Sequence, residues 1–162
     1  MLPAVIPVAA TLNAATVNVT SVPAEKMTDV RLAHQDEEDS LEVVLAQFKD
    51  SMQRDSKRFL AEDQTLDVHF TDIDLAGAFE PWHGISADDI RWIRAIYIPH
   101  LKFDYKITNA DGTVASEGKA NLTDPAFQMR TTLNSIDQTT RYEREMLTDW
   151  MRQFRKPKDK KS

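Results

Sequence analysis

Thr65-Leu66-Asp67-Val68-His69-Phe70-Thr71-Asp72-Ile73-Asp74-Leu75-Ala76-Gly77 is the stretch that decides the fold. It begins as an alternating strand. Leu66, Val68 and Phe70 share one face, and Asp67, His69 and Thr71 share the other. After Thr71 the phase changes, because the apolar residues become Ile73 and Leu75. A strict two-residue period would carry Asp72 and Asp74 into the core, and burying two unpaired carboxylates is very costly. A β-bulge near Thr71 removes the conflict, since one extra residue flips every side chain that follows. Asp67, His69, Asp72 and Asp74 then lie on one face, away from the core. Gly77 ends the strand.

A strand with one apolar and one polar face needs a partner layer on one side only. Upstream, Ser40 to about Glu62 supplies one helix. Its stripe is Leu41, Val44, Leu45, Phe48, Met52, Phe59 and Leu60, interrupted for a turn by Asp55 and Ser56. Asp39 or Ser40 can cap it, with Asp39-x-x-Glu42 at capping-box spacing. The acidic run Asp36 to Asp39 suits the positive end of the helix dipole. Downstream, Thr140-x-x-Glu143 has the spacing of a second capping box. It opens a helix to Phe154 carrying Tyr142, Met146, Trp150 and Phe154 four residues apart.

Thr16 to Val22 alternates and is rich in β-branched residues, so it reads as a first strand. Leu101, Phe103, Tyr105 and Ile107 alternate with Lys102, Asp104, Lys106 and Thr108. Asn109-Ala110-Asp111-Gly112 is a turn, and Thr113 to Thr123 returns with small residues on one face. Residues 78–99 form a long connection containing Phe79-Glu80-Pro81-Trp82. Within it Ser86-x-x-Asp89 can start a short helix, or Ile90 and Trp92 can alternate in an extended segment. Residues 125–139 read as loop. The fold expected is α+β: a two-layer sandwich in the order β-α-β-β-β-α. Its four-stranded, mainly antiparallel sheet carries both helices on one face.

The chain has 162 residues, 41% hydrophobic and 28% charged, with a formal net charge of -6. One domain with a real core fits that length, over residues 16–156. The acidic balance argues against nucleic acid as a partner, because phosphate binding needs a concentrated basic surface. There are no cysteines, which removes disulfides, thiolate catalysis and Cys-ligated zinc. Residues 1–15 form an apolar leader of small residues, with Ala10, Ala14 and Ala15 each placed like the last residue before a signal-peptide cleavage. It lacks a basic n-region and is too short to span a bilayer. It reads either as a signal-peptide remnant or as a disordered leader. The tail, residues 157–162, is basic and reads as disordered.

His69, Asp72, Asp74 and Glu80 form the polar cluster with chemical potential. Residues two apart on a strand are about 6.6 Å apart, so Asp72 and Asp74 can share a hard cation. With His69 they can also hold zinc or manganese. Against this, the two acids suit solvent, or ion pairs with Arg91 and Arg94. Trp82 can stack on a sugar or peptide, or close one end of the core. His34, His83 and His100 show no ligand spacing. Nucleophile-elbow, Walker and dinucleotide-binding motifs are missing, and no cofactor is implied.

One pattern runs the length of the chain. It comprises Asp72-Ile73-Asp74-Leu75-Ala76-Gly77, Glu80-Pro81-Trp82, Ile90-Arg91 and Leu101-x-Phe103-x-Tyr105. It continues with Gly118, Leu122-x-Asp124 and Tyr142-Glu143-x-Glu145-Met146-Leu147-x-Asp149-Trp150. In this order and spacing the chain resembles the bacterial domain-of-unknown-function family 3016, over roughly residues 16–154. The resemblance implies a small exported protein of the bacterial envelope and lends no catalytic residues. Two functions from different classes stand. One is a non-catalytic, periplasmic binding or assembly module that meets a protein or another envelope component through its sheet face or an edge strand. The other is a metal-dependent hydrolase centred on Asp72 and Asp74.

Overall fold

The computed structural model describes residues 14–130 and 139–155. Most of the leader, residues 131–138 of the expected loop and the basic tail lie outside the described residues. The chain runs β1 (Thr16–Ser21), α1 (Glu37–Phe59), β2 (Thr65–Asp74), β3 (Ala78–Phe79), β4 (Arg91–Trp92), β5 (His100–Thr108), β6 (Val114–Thr123) and α2 (Arg141–Met151). The main sheet has the order β1-β2-β5-β6. β1 pairs with β2 in parallel, whereas β2–β5 and β5–β6 are antiparallel. The sheet is therefore mixed, mostly antiparallel, because α1 carries the chain back to the start of β2 alongside β1.

The bulge falls where the change of phase demands it. Phe70 pairs with Phe103 and Asp72 with Lys102, with Thr71 as the extra residue between them. As a result Leu66, Val68, Phe70 and Ile73 are all buried. Both helices cover that face. Phe48 of α1 lies 5.3 Å from Phe70, centroid to centroid, and Trp150 of α2 lies 4.8 Å from Phe103. Trp150 also meets Tyr105 edge-on at 5.0 Å, and Phe154 extends the cluster. Gly118 stands across from Tyr105. A Cβ there would come within 3.3 Å of the Tyr105 hydroxyl, so the small residue gives the large one its space.

The helix boundaries differ from expectation, for reasons of capping. α1 starts three residues early because Asp36, rather than Asp39 or Ser40, accepts the Asp39 N–H at 2.8 Å. Ser40 is buried and accepts the Leu32 N–H. Ser56 does not break the stripe but fills a slot in it, donating to the Gln53 carbonyl at 2.7 Å. At α2 the expected capping box is absent. Thr140 is left-handed (φ 57°) and donates to Gln47 of α1, while Glu143 turns away to another partner. The segment 78–99 takes neither of its two expected forms as a whole. Two 3-10 turns, Pro81–His83 and Ile85–Ala87, precede the two-residue strand Arg91–Trp92.

The outer edge of β1 is blocked at its start. Gln53 accepts the Val17 N–H (2.9 Å) and donates to the Ala15 carbonyl (2.7 Å), as a neighbouring strand would. Ala15, counted above with the leader, is buried. No helix among the described residues is long and apolar enough to cross a membrane.

Trp150→Ala should cost about 3–5 kcal/mol, the range for emptying a core aromatic site, and lower Tm by roughly 10 °C in a domain of this size. An unchanged thermal melt would make α2 peripheral.

Candidate functional site

Beyond the bulge, β2 runs into a corner where several elements meet. Ile73 and Leu75 continue the core. The segment around Asp29 lies alongside, with the Asp29 N–H donating to the Ile73 carbonyl and the Leu75 N–H donating to the Asp29 carbonyl. Gly77 then takes φ 82°, a left-handed conformation that glycine adopts at little cost. A Cβ there would also lie 2.6 Å from the Trp92 carbonyl.

The corner is held by charged groups from distant parts of the chain. Glu143 of α2 is 2% exposed and accepts the Ala76 N–H at 2.6 Å. Burial raises the pKa of its carboxyl. Arg91 donates to both carboxylate oxygens of Asp29 at 2.8 and 2.9 Å, and also to the carbonyls of Gly77 and Arg31. Burial raises the pKa of Asp29, and Arg91 partly offsets it. Phe79 carries two guanidinium groups near its ring, Arg31 at 4.3 Å and Arg91 at 5.0 Å. Beyond β6, Arg130 bonds Asp124 and Asp149 and lies 3.7 Å from Glu145, so the exit from the sheet is tied to α2.

The residues singled out from sequence separate into three places. Asp72 accepts both the N–H and the hydroxyl of Thr28, at 2.7 and 2.8 Å. Asp74 is half-buried opposite His100. Burial first, then the charges of Asp29 and Asp72, raises its pKa. Ion pairs of these acids with Arg91 and Arg94, one of the two alternatives to a cation site, do not form. Arg91 is taken by Asp29 and Arg94 by Glu80.

Glu80 is 2% exposed and lies at the centre of the loop. It receives Arg94 Nε and Nη2 at 2.7 and 2.9 Å, the Tyr97 hydroxyl at 2.8 Å, and His83 at 2.5 Å. Arg94 above all, with His83 and Tyr97, overcomes burial and holds its pKa at about 2. Its oxygens are thus used internally, and the residue shapes the loop. Trp82 does not close the core; it is 70% exposed. His69 bonds Thr20 at 2.8 Å, on the other side of the bulge from Asp72. Among the described residues no three His, Asp or Glu side chains are placed to hold a metal ion.

A concavity lies elsewhere, on the open face of the sheet. The sheet face opposite the helices forms a hollow of about 460 Å³, lined by Asn18, Thr20, Asp67, His69, Asp104, Lys106, Glu117 and Lys119 among others. Its rows run across the strands. One is Asn18, Asp67, Lys106, Glu117; the next is Thr20, His69, Asp104, Lys119. Opposite charges stand beside each other, and Lys119 approaches Asp104 at 3.7 Å. A second hollow of similar size lies by the N-terminus of α2, lined by Gln35, Gln47, Arg91, Tyr142 and Glu143. Sequence reading missed Asp29 and misassigned Glu143, because the partners of both, Arg91 and Ala76, lie 62 and 67 residues away in the chain.

The profile of one protein family, described as protein of unknown function (DUF3016), matches residues 15–153. The chain belongs to the DUF3016 family. No curated protein matches it. Residues on which the resemblance rests, Gly77, Glu80, Arg91 and Glu143, are the ones that build the corner after β2. In this DUF3016 chain their role is to hold backbone and charge in place.

Two variants test that role. Glu143→Ala leaves the buried Ala76 N–H without an acceptor and should cost about 1–3 kcal/mol. Glu143→Gln keeps an acceptor and sheds the buried charge. It should melt at or above the wild-type temperature at pH 8, with any advantage vanishing in acid, where the wild-type carboxyl is protonated. A Gln variant as unstable as the Ala variant at pH 8 would refute this. Glu80 has the opposite sign. Its pKa is depressed from 4.5 to about 2, so its contribution is present above pH 4.5 and lost as pH falls toward 2. Melting curves of Glu80→Gln should lack that part of the acid dependence.

Proposed function

We propose that this DUF3016 chain is a non-catalytic binding module of the bacterial cell envelope that takes a polar partner on the open face of its sheet. The observation that carries this reading is the hollow of about 460 Å³ on the face opposite both helices. Its alternating charges suit a partner of mixed polarity, a protein or another envelope component, and not the uniform negative charge of a nucleic acid. Asp72 and Asp74 lie at the margin of this surface. Trp82 offers a separate exposed aromatic on the loop that Glu80 braces.

The hydrolase alternative gains no support. Asp72 already holds Thr28, and Asp74 neighbours two other acids with no partner arrangement for a nucleophile, base or metal. The periplasmic assignment rests on the apolar leader, the lack of cysteine and the export implied by the family resemblance.

A photo-crosslinking residue at Lys106, on the open face, should give a discrete adduct in intact cells. The same residue at Lys49, on the exposed side of α1, should not. Equal labelling at both sites would count against a specific face. Intact mass of periplasmic protein should show a start at Thr11 or Ala15, since cleavage after Ala15 would remove the carbonyl that Gln53 and Ser56 bind. A chain recovered only in the cytoplasm, still beginning at Met1, would refute export.

A further inference from the structure

β6 is ten residues long and hydrogen-bonds to a strand on one side only. The direction of its free groups follows from the rest of the sheet. The Phe70 carbonyl accepts from Val22, so Leu66, Val68 and Phe70 turn their backbone groups toward β1. Asp67 and His69 then bond to β5, opposite Lys106 and Asp104. Phe103, Tyr105 and Ile107 are left to bond β6, opposite Ala120, Gly118 and Ser116. Glu117, Lys119 and Asn121 therefore turn their N–H and C=O groups outward, to no strand among the described residues, and the alternation ends at a bulge at Ala115. A long edge of this kind, without proline, is a template for another strand.

The side chains of β6 say which strand. Read outward from Gly118 in both directions, the residues match as far as the bulge at Ala115: Glu117 with Lys119 and Ser116 with Ala120. The order is opposite charge, then small with small. We propose that two copies of this chain join through β6, antiparallel about a two-fold axis at Gly118, into one continuous sheet.

The charge pattern supports a second copy as the occupant. Asp67, Lys106 and Glu117 form an alternating row that ends at the edge. In the pair it continues into Lys119 and Asp104 of the second copy, which are themselves 3.7 Å apart. The row then reads acid, base, acid, base, acid across the axis, and the symmetry repeats it. At the axis the two backbones make a non-hydrogen-bonded pair, the closest approach in an antiparallel ladder at about 4.5 Å between Cα atoms. Gly118 places no side chain there. This pairing goes beyond the reading of the open face and does not depend on it.

Sedimentation equilibrium of the full chain at about 0.1 mM should give a dimer, as expected for a small interface. Glu117→Lys sets lysine against lysine twice and should raise the dissociation constant about tenfold or more. The exchange E117K/K119E restores the match across the axis. It should recover wild-type dissociation to within about threefold, although it loses the exposed Lys119–Asp104 contact. Asn121→Pro removes an outward N–H that β5 does not use, and should give a monomer with the wild-type circular dichroism spectrum. A monomeric wild type at that concentration, or a dimer indifferent to Glu117→Lys, would overturn the proposal. So would a charge exchange that fails to restore what Glu117→Lys weakens.

Discussion

The structure depends on keeping two carboxylates out of the core without interrupting the strand that carries them. β2 is the inner strand that touches α1, β1 and β5, and it must bury Phe70 and then Ile73. Those residues are three apart, an odd number that a regular strand would place on opposite faces. Thr71 as an extra residue resolves this, and its cost is small because Thr71 lies on the exposed side and donates to the Lys102 carbonyl. Without it either Ile73 faces water or Asp72 and Asp74 enter an apolar layer, which costs far more.

Past the bulge, the chain solves the related problem of leaving the sheet. Ala76 and Gly77 turn at a place too crowded for water to satisfy their backbone groups. Protein groups do so instead: Glu143 takes the Ala76 N–H, Arg91 the Gly77 carbonyl, and the Tyr97 carbonyl the Gly77 N–H. Buried charges are expensive unless each oxygen and N–H finds a partner. Glu80 meets that condition through three side chains, whereas Glu143 is met mainly by backbone and has a raised pKa. The difference shows why Glu80 is an ion pair in the full sense and Glu143 is chiefly a hydrogen-bond acceptor.

These arrangements shift attention from individual acids to surfaces. With Glu80, Asp29 and Asp72 each held by partners within the molecule, the open sheet face and the edge of β6 are surfaces on which a partner could bind. Both are polar, and both are built from pairs of opposite charge, which gives specificity of register more than raw affinity. The edge of β1 differs because Gln53 occupies its first outward groups.

Local pattern alone determined the class of fold, the position of the bulge, the shared face of the two helices and the β5–β6 hairpin. Each of these is set by periodicity, which the order of residues displays directly. It also excluded thiol chemistry and disfavoured nucleic acid, because composition limits both. Pairings between residues far apart in the chain were decided only by the tertiary structure. Asp29 with Arg91, Glu80 with Arg94, and Glu143 with Ala76 join positions 62, 14 and 67 residues apart. Nothing local distinguishes an acid that caps its own helix from one that reaches another strand, so Thr140-x-x-Glu143 read as a capping box. The same physics explains the loop after Gly77. Its short turns have too few residues to show a period, and their shape follows from the buried ion pair at Glu80 that they surround.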